Sequence, residues 1–229
     1  MRALERELRQ GLDDLRLALE DAQVVRLLDY LDLLQKWTRV YNLTAVREPA
    51  DMLTHHVLDS LAVIAPLRLK LTGLCSDRST VTGDGKAAGA PATHLLDVGS
   101  GGGLPGVVIA ICCPEIAVDC VDTVAKKAAF IRQVAVALRL SNLRGLHARV
   151  EELTEEYLVV SSRAFASLTD FVRLSQSALA PGGVWMAMKG KHPGDEISNL
   201  SDAVQVFHVE HLTVPGLAAE RCIVWMRKT

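Results

Sequence analysis

Asp97, Gly99, Gly101, Gly103, Leu104 and Asp122 are the residues whose types and spacing say most about chemistry in this chain. The run Asp97-Val98-Gly99-Ser100-Gly101-Gly102-Gly103-Leu104-Pro105-Gly106 follows Leu95-Leu96 and leads into Val107-Val108-Ile109-Ala110-Ile111. It reads as strand, glycine-rich turn, helix, with Pro105 suited to a first helical turn. Glycine is expected there because a ligand must come too close to the backbone for a Cβ, and because the turn calls for positive φ. Asp122 closes the next apolar strand, where a carboxylate would meet a pair of ribose hydroxyls. Together these residues describe a pocket for an adenosine-containing cofactor.

Gly101-x-Gly103-x-x-Gly106 also fits the dinucleotide pattern, so a nicotinamide cofactor competes with S-adenosylmethionine. Asp97 stands at the strand's end, just ahead of the glycines. A carboxylate there repels a pyrophosphate and attracts a sulfonium or an ammonium, which favours S-adenosylmethionine. Ala180-Pro181-Gly182-Gly183, ahead of the strand ending in Met188-Lys189-Gly190-Lys191, points the same way, being a lead-in typical of S-adenosylmethionine enzymes. A tight turn without any ligand is the plain alternative, and the density of glycines weighs against it.

Further candidates follow the later strands. In His147-Ala148-Arg149-Val150-Glu151-Glu152, the backbone amides beside Val150 and Glu151 suit an adenine edge while Arg149 faces a substrate; a solvated loop is an equal alternative. Arg163, in Ser161-Ser162-Arg163-Ala164-Phe165-Ala166-Ser167, follows the fourth strand, where a methyl acceptor is held, and its small neighbours leave room for a ligand or phosphate. Lys189 and Lys191 can meet phosphates as point charges, whereas Lys126, Lys127 and Arg132 read first as a solvated helix face. Near the N-terminus, Lys36, Arg39 and Arg47 interleave with Trp37 and Tyr41, a pattern suited to RNA through charge and stacking, although Trp37 is expected to anchor its helix to the core. Asn42 and His56 are candidates for polar contacts to a nucleobase. His55 and His56 are adjacent and point in different directions on a helix, so no metal site is expected.

The chemistry that is missing narrows the reaction. Cys112-Cys113-Pro114 is misplaced for the nucleophile of a carbon-5 pyrimidine methyltransferase. Ser162-Arg163-Ala164-Phe165 stands where an exocyclic-amine methyltransferase shows Asn/Asp-Pro-Pro-aromatic. A ring nitrogen with an in-plane lone pair, such as guanine N7, carries no proton to remove and needs only in-line placement against the methyl group.

The elements that must position these residues divide the chain in three. Residues 1–72 read as a helical extension, with Val24, Leu27, Leu28, Leu31, Leu34 and Trp37 forming one apolar stripe and Leu4, Leu8, Leu12, Leu15 and Leu19 an earlier one. Another helix is expected from Met52, stopping near Pro66. Residues 73–93, rich in Gly, Ala and Ser, read as a mobile surface insertion. From 94 to 229, strands alternate with helices, which predicts an α/β layer fold: seven strands, mostly parallel, with an antiparallel end. The carboxyl edge of such a sheet would collect Asp97, Asp122, Arg149 and Arg163.

A chain of 229 residues, 49% of them hydrophobic, can bury one substantial core, so one domain with an appendage is expected. A net charge of −2 argues against a non-specific nucleic-acid coat and leaves room for a local basic face. Five cysteines without C-x-x-C spacing suit a reducing compartment, and with no secretory or membrane-spanning run the protein is expected to be cytoplasmic.

Taken jointly, Lys36-Trp37…Tyr41-Asn42-Leu43-Thr44…Arg47, His56-Val57-Leu58-Asp59-Ser60, Asp97-Val98-Gly99…Gly103-Leu104-Pro105-Gly106, Arg149-Val150-Glu151-Glu152, Ser162 to Leu168 and Lys189-Gly190 resemble the RsmG/GidB family, the guanine-N7 methyltransferases of small-subunit ribosomal RNA. The resemblance runs from about residue 23 to the C-terminus. It implies a class I methyltransferase fold with an N-terminal helical extension, and direct SN2 transfer from S-adenosylmethionine, giving S-adenosylhomocysteine. It also implies that the acceptor is N7 of one guanine in the decoding-region loop of 16S rRNA, offered as RNA, small subunit or assembly intermediate to a monomeric enzyme. By the same resemblance Asp97, Gly99, Gly101, Gly103 and Leu104 line the cofactor site, Asp122 holds ribose, and Val150 and Glu151 frame adenine. Arg163 bridges cofactor and acceptor, while Asn42, His56, Arg149 and Lys189 face RNA. Two departures stand out: His55 replaces an Arg common in relatives, and Gly102 replaces the Pro of a Gly-Pro-Gly turn. An NAD-linked oxidoreductase and a non-catalytic cofactor-sensing or RNA-assembly module are the competing readings.

Overall fold

The computed structural model describes residues 2–79, 93–163, 165 and 167–229. Its N-terminal helices are α1 (Arg2–Asp14), α2 (Asp21–Tyr41), α3 (Pro49–Met52), a π-helical turn (Leu53–Leu58), α4 (Asp59–Leu61) and α5 (Ile64–Ser79). In α2 the apolar period sets the buried face, Val24, Leu27, Tyr30, Leu31 and Leu34. Leu28 and Trp37 lie half-buried at its margin. The helix starts with the Glu20 N–H donating to Gln23 Oε1 at 3.0 Å. It stops at Asn42, which takes the left-handed conformation (φ 53°) that Asn tolerates better than most residues.

Pro66 does not stop its helix as the sequence suggests. It is the third residue of α5, inside the first turn, where an N–H has no intrahelical partner to lose. As a result α5 runs straight through the expected boundary between residues 72 and 73. Residues 80–92 of the expected insertion lie outside the described residues. The helical extension is also less of an appendage than its sequence implies, since Leu8, Leu27, Leu34, Val57 and Leu67 share one continuous core with the sheet.

The sheet contains β1 (His94–Val98), β2 (Ala117–Asp122), β3 (Leu143–His147), β4 (Tyr157–Ser162), β5 (Leu179–Lys189), β6 (Val204–Leu212) and β7 (Arg221–Lys228) in the order β3-β2-β1-β4-β5-β7-β6. The first five strands are parallel; β7 pairs antiparallel with β5, and β6 with β7. Strands β1, β2 and β4 are apolar along most of their length because both faces are covered. One face carries the N-terminal helices with α6 (Gly106–Cys112) and α7 (Ala125–Ala137); the other carries α8 (Leu168–Ser175) and a 3₁₀ turn at Val150–Glu152. A short α9 (Gly194–Ser198) precedes β6. The Pro181-Gly182-Gly183 lead-in is absorbed into β5 as an irregularity, with Gly182 at φ 72°. Strand order reverses between β1 and β4, so a crevice opens at their carboxyl ends, and the site lies there.

Candidate active site

Two clefts flank the carboxyl end of β4. The first, about 460 Å³, is lined by Gly99, Asp122, Arg149, Val150, Glu151 and Phe165 among others. The second, about 400 Å³, is lined by His55, His56, Asp59, Arg163, Lys189 and Arg221 among others. A larger cavity, about 880 Å³, lies between α5 and the β5–β7 region, where Lys70 and Arg227 cover Phe207; it holds none of the candidate residues.

At the glycine-rich turn, where Gly99 lines the first cleft, the backbone is laid bare. Gly99 and Gly101 take φ of +66° and +59°, and nothing lies within 4 Å of a Cβ built at Gly99. At Gly101 only the Gly99 carbonyl oxygen comes near, at 3.9 Å. Asp122 accepts the Gly101 N–H at 3.1 Å and the Val124 N–H at 2.9 Å, and Lys127 Nζ stands 3.3 Å away. The side chain therefore fixes the turn while lining the cleft. Exposed glycine backbone, an acid at the end of β2, and an apolar wall of Val150 and Phe165 fit the turn, ribose and adenine faces of an adenosyl group.

The other glycines of the turn have a different reason. A Cβ on Gly103 would sit 2.4 Å from Val107 Cγ2 and 2.6 Å from Ile131 Cδ1; on Gly106 it would sit 2.5 Å from Cys120 Sγ. These two allow α6 to pack against β2 and α7 and do not open the backbone to a ligand. Gly103, expected to line the cofactor site, has this packing reason to be glycine whether or not a ligand reaches it. Leu104 is likewise turned into the core. Asp97 is buried beneath the turn, where Oδ2 accepts the Gly106 N–H at 3.0 Å and Oδ1 accepts the Ser161 hydroxyl at 3.2 Å. Burial pushes its pKa up to about 7, against the opposing pull of those two hydrogen bonds. Asp97 thus braces the turn from below with both oxygens engaged by the protein, so the expected choice between cofactors by its charge gains no support from this geometry.

The second cleft is built on the π-helical turn. Asp59, buried, accepts Arg221 Nε on Oδ1 at 2.8 Å and Arg163 Nη1 on Oδ2 at 3.3 Å. Arg163 Nη1 also donates to the His55 carbonyl at 3.1 Å, and its Nη2 lies 3.5 Å from His56 Nδ1. The other ring nitrogen of His56 lies 2.7 Å from Thr44 Oγ1. Burial first, then the charge of Arg163, lowers the His56 pKa to about 4, so the ring is neutral at pH 7. A neutral ring facing an arginine N–H through Nδ1 carries its proton on Nε2, donated to Thr44. His55, by contrast, is exposed, as the divergent directions of the pair require.

The residues expected to face RNA do not all gather here. His56 and Lys189 line the second cleft, but Arg149 lines the first. Asn42 caps α2, its side-chain oxygen accepting Arg47 Nη2 at 2.6 Å. Lys189 is engaged by both carboxylate oxygens of Glu196, at 3.0 and 2.8 Å. Lys127 is drawn to Asp122, Lys126 lies over the Tyr41 ring, and Arg132 Nη1 donates to the Gly145 carbonyl. Those three do not join Lys189 in one basic patch. Ala164 and Ala166 of the Arg163 motif lie outside the described residues.

Sequence reasoning gave no role to Asp59, Arg221 or Thr44. Asp59 carries a faint signal, an acid three positions after His56 in an otherwise apolar helical stretch. Arg221 carries none, because only the pairing of β7 with β5, Lys189 opposite Cys222, brings it to this edge.

Comparison with known proteins gives a consistent result. Residues 23–73 and 85–224 match the profile of the GidB family, described as rRNA small subunit methyltransferase G. A protein of Albidiferax ferrireducens named Ribosomal RNA small subunit methyltransferase G is 68% identical over 229 residues, covering 100% of this chain and 99% of its own. One of the same name from Polaromonas sp. strain JS666 is 63% identical over 227 residues, covering 99% and 95%. Among solved structures, TrmN from Thermus thermophilus superposes with a TM-score of 0.48 at 21% identity, over 61% of this chain and 45% of that one.

Proposed function

The chain belongs to the rRNA small subunit methyltransferase G family, and from that premise we propose that it transfers a methyl group from S-adenosylmethionine to N7 of one guanine in small-subunit ribosomal RNA. The observation that carries this reading is the pair of clefts divided by the end of β4, with Arg163 on the acceptor side and Phe165 on the cofactor side. S-adenosylmethionine, when bound, supplies an electrophilic methyl group on a sulfonium.

The chain's own residues supply binding and alignment. Asp122 holds the ribose, and Gly99 and Gly101 let the cofactor lie on the backbone. Val150, Glu151 and Phe165 frame the adenine, with Arg149 at the rim. Across β4, Arg163 and Arg221 present N–H donors suited to guanine O6 and to phosphate oxygens. Neutral His56, locked by Thr44, adds no positive charge where a cationic 7-methylguanine would form. The N7 lone pair needs no general base; both oxygens of Asp59 are engaged by arginines, and His56 hardly takes a proton. Catalysis then rests on holding the nitrogen in line with the methyl group.

Incubation with labelled S-adenosylmethionine and unmethylated small-subunit RNA, followed by mapping of 7-methylguanine, tests the reading. Label confined to one guanine N7 is expected. Label on another atom, or no transfer to RNA, overturns it.

A further inference from the structure

The C-terminal end of α2 carries an exposed patch that the reading above leaves unused. Tyr41 is 44% exposed and Val40 68% exposed. The ammonium of Lys126 stands 5.8 Å from the Tyr41 ring centroid. The ring is firmly supported from behind. Tyr41 packs on Trp37 with centroids 5.0 Å apart, Trp37 on Phe130 at 5.3 Å, and Phe130 on Tyr30 at 6.4 Å. Tyr30 donates its hydroxyl to the Gly102 carbonyl at 2.6 Å. An aromatic ladder therefore runs from the glycine-rich turn to a solvent-facing ring.

The placement of that ring is specific. The next residues of the chain lead directly into the second cleft, through Asn42, which Arg47 holds, and Thr44, which holds His56. A rigid exposed aromatic ring beside a lysine ammonium, in a protein of net charge −2, is what an unstacked base with its phosphate requires. We propose that Tyr41, with Lys126 beside it, is a stacking platform for an unpaired RNA base flanking the acceptor guanine. The proposal rests on the RNA-methylating reading of the site and extends it to a contact outside the reacting pair. Tyr41 acts as a positioning residue: its ring holds a neighbouring base, and the acceptor follows.

The test uses the full chain and small-subunit RNA fragments, each with 2-aminopurine at one unpaired position near the acceptor. For the wild type, and for Tyr41→Phe, one position is quenched on binding. Tyr41→Leu loses that quenching and raises the KM for RNA about tenfold to a hundredfold, with S-adenosylmethionine affinity within twofold. Lys126→Glu raises the KM and flattens its salt dependence while the melting temperature is kept, and Val136→Ala on the outer face of α7 changes neither. Unchanged KM and quenching in both Tyr41→Leu and Lys126→Glu overturns the platform alone when the wild type methylates RNA. Loss in Tyr41→Phe equal to that in Tyr41→Leu also overturns it, since the hydroxyl and not the ring face would then bind. A wild type that transfers nothing to RNA overturns the functional reading and the platform with it.

Discussion

Asp59 and Arg163 come from segments 104 residues apart, and their 3.3 Å ion pair joins the π-helical turn to the end of β4. The second oxygen of Asp59 takes Arg221 at 2.8 Å, so one buried carboxylate sets two arginines on one wall of the second cleft. Burial makes the carboxylate intolerant of an empty partner, whereas each arginine still reaches the cleft with its remaining N–H groups.

Asp59→Asn keeps the shape and removes the charge. We expect kcat/KM for RNA to fall roughly tenfold to a hundredfold, the scale on which misplacement of a positioning group is felt, with S-adenosylmethionine affinity unchanged. Methyl-transfer kinetics alongside cofactor calorimetry check this; equal transfer rates would leave Asp59 a fold-stabilising residue only.

Arg163→Ala removes a side chain at the cleft and little core volume. Transfer should fall by a hundredfold or more, the order reported by deletion of a preorganised charge, and the thermal melt should fall as well, because the buried Asp59 carboxylate loses one of its two arginine partners. Turnover at the wild-type rate would reject its placement at the acceptor.

Asp122→Ala removes a carboxylate that lines the first cleft, proposed to hold the cofactor, and also caps the Gly101 and Val124 N–H groups. Weakening of S-adenosylmethionine binding by about 1–3 kcal/mol is expected, read by calorimetry. Unchanged affinity would place the ribose elsewhere.

His56 and Asp97 give stability opposite pH slopes. The His56 pKa falls from 6.5 to about 4 on folding, so the unfolded chain binds the proton that the folded chain refuses, and its contribution is lost as pH falls through that window. The Asp97 pKa rises from 3.8 to about 7, so its contribution is lost as pH rises through that interval. Urea titrations of His56→Gln and Asp97→Asn between pH 4 and about 8 should each remove one slope, of opposite sign. Parallel curves for both variants and the wild type would contradict the burial argument.

Gly103→Ala should destabilise the fold by about 2–4 kcal/mol, because it adds a methyl 2.4 Å from Val107 Cγ2 at φ +87°. A denaturant midpoint equal to that of the wild type would show that α6 can give way.

Much of this was open to sequence reasoning because local chemistry determines it. Apolar runs bounded by Asp97, Asp122 and Ser162 marked the strands, and their alternation with helices pointed to a mostly parallel sheet with clefts at its carboxyl edge. The places of the glycine turn, Asp122 and Arg163 at strand ends were legible because they are properties of the chain itself. What the tertiary structure alone decided is which side chains meet. Asp97 looks like a ligand-facing acid in sequence, yet Gly106 and Ser161 claim both its oxygens. Lys189 looks free, yet Glu196 neutralises it. Arg221 looks unremarkable until β7 inserts beside β5 and delivers it to Asp59. Hydrophobic period and turn chemistry act over a few residues and are written in order along the chain. Ion pairs and buried hydrogen bonds are short-ranged in space, and they join residues whose separation in sequence carries no trace of the contact.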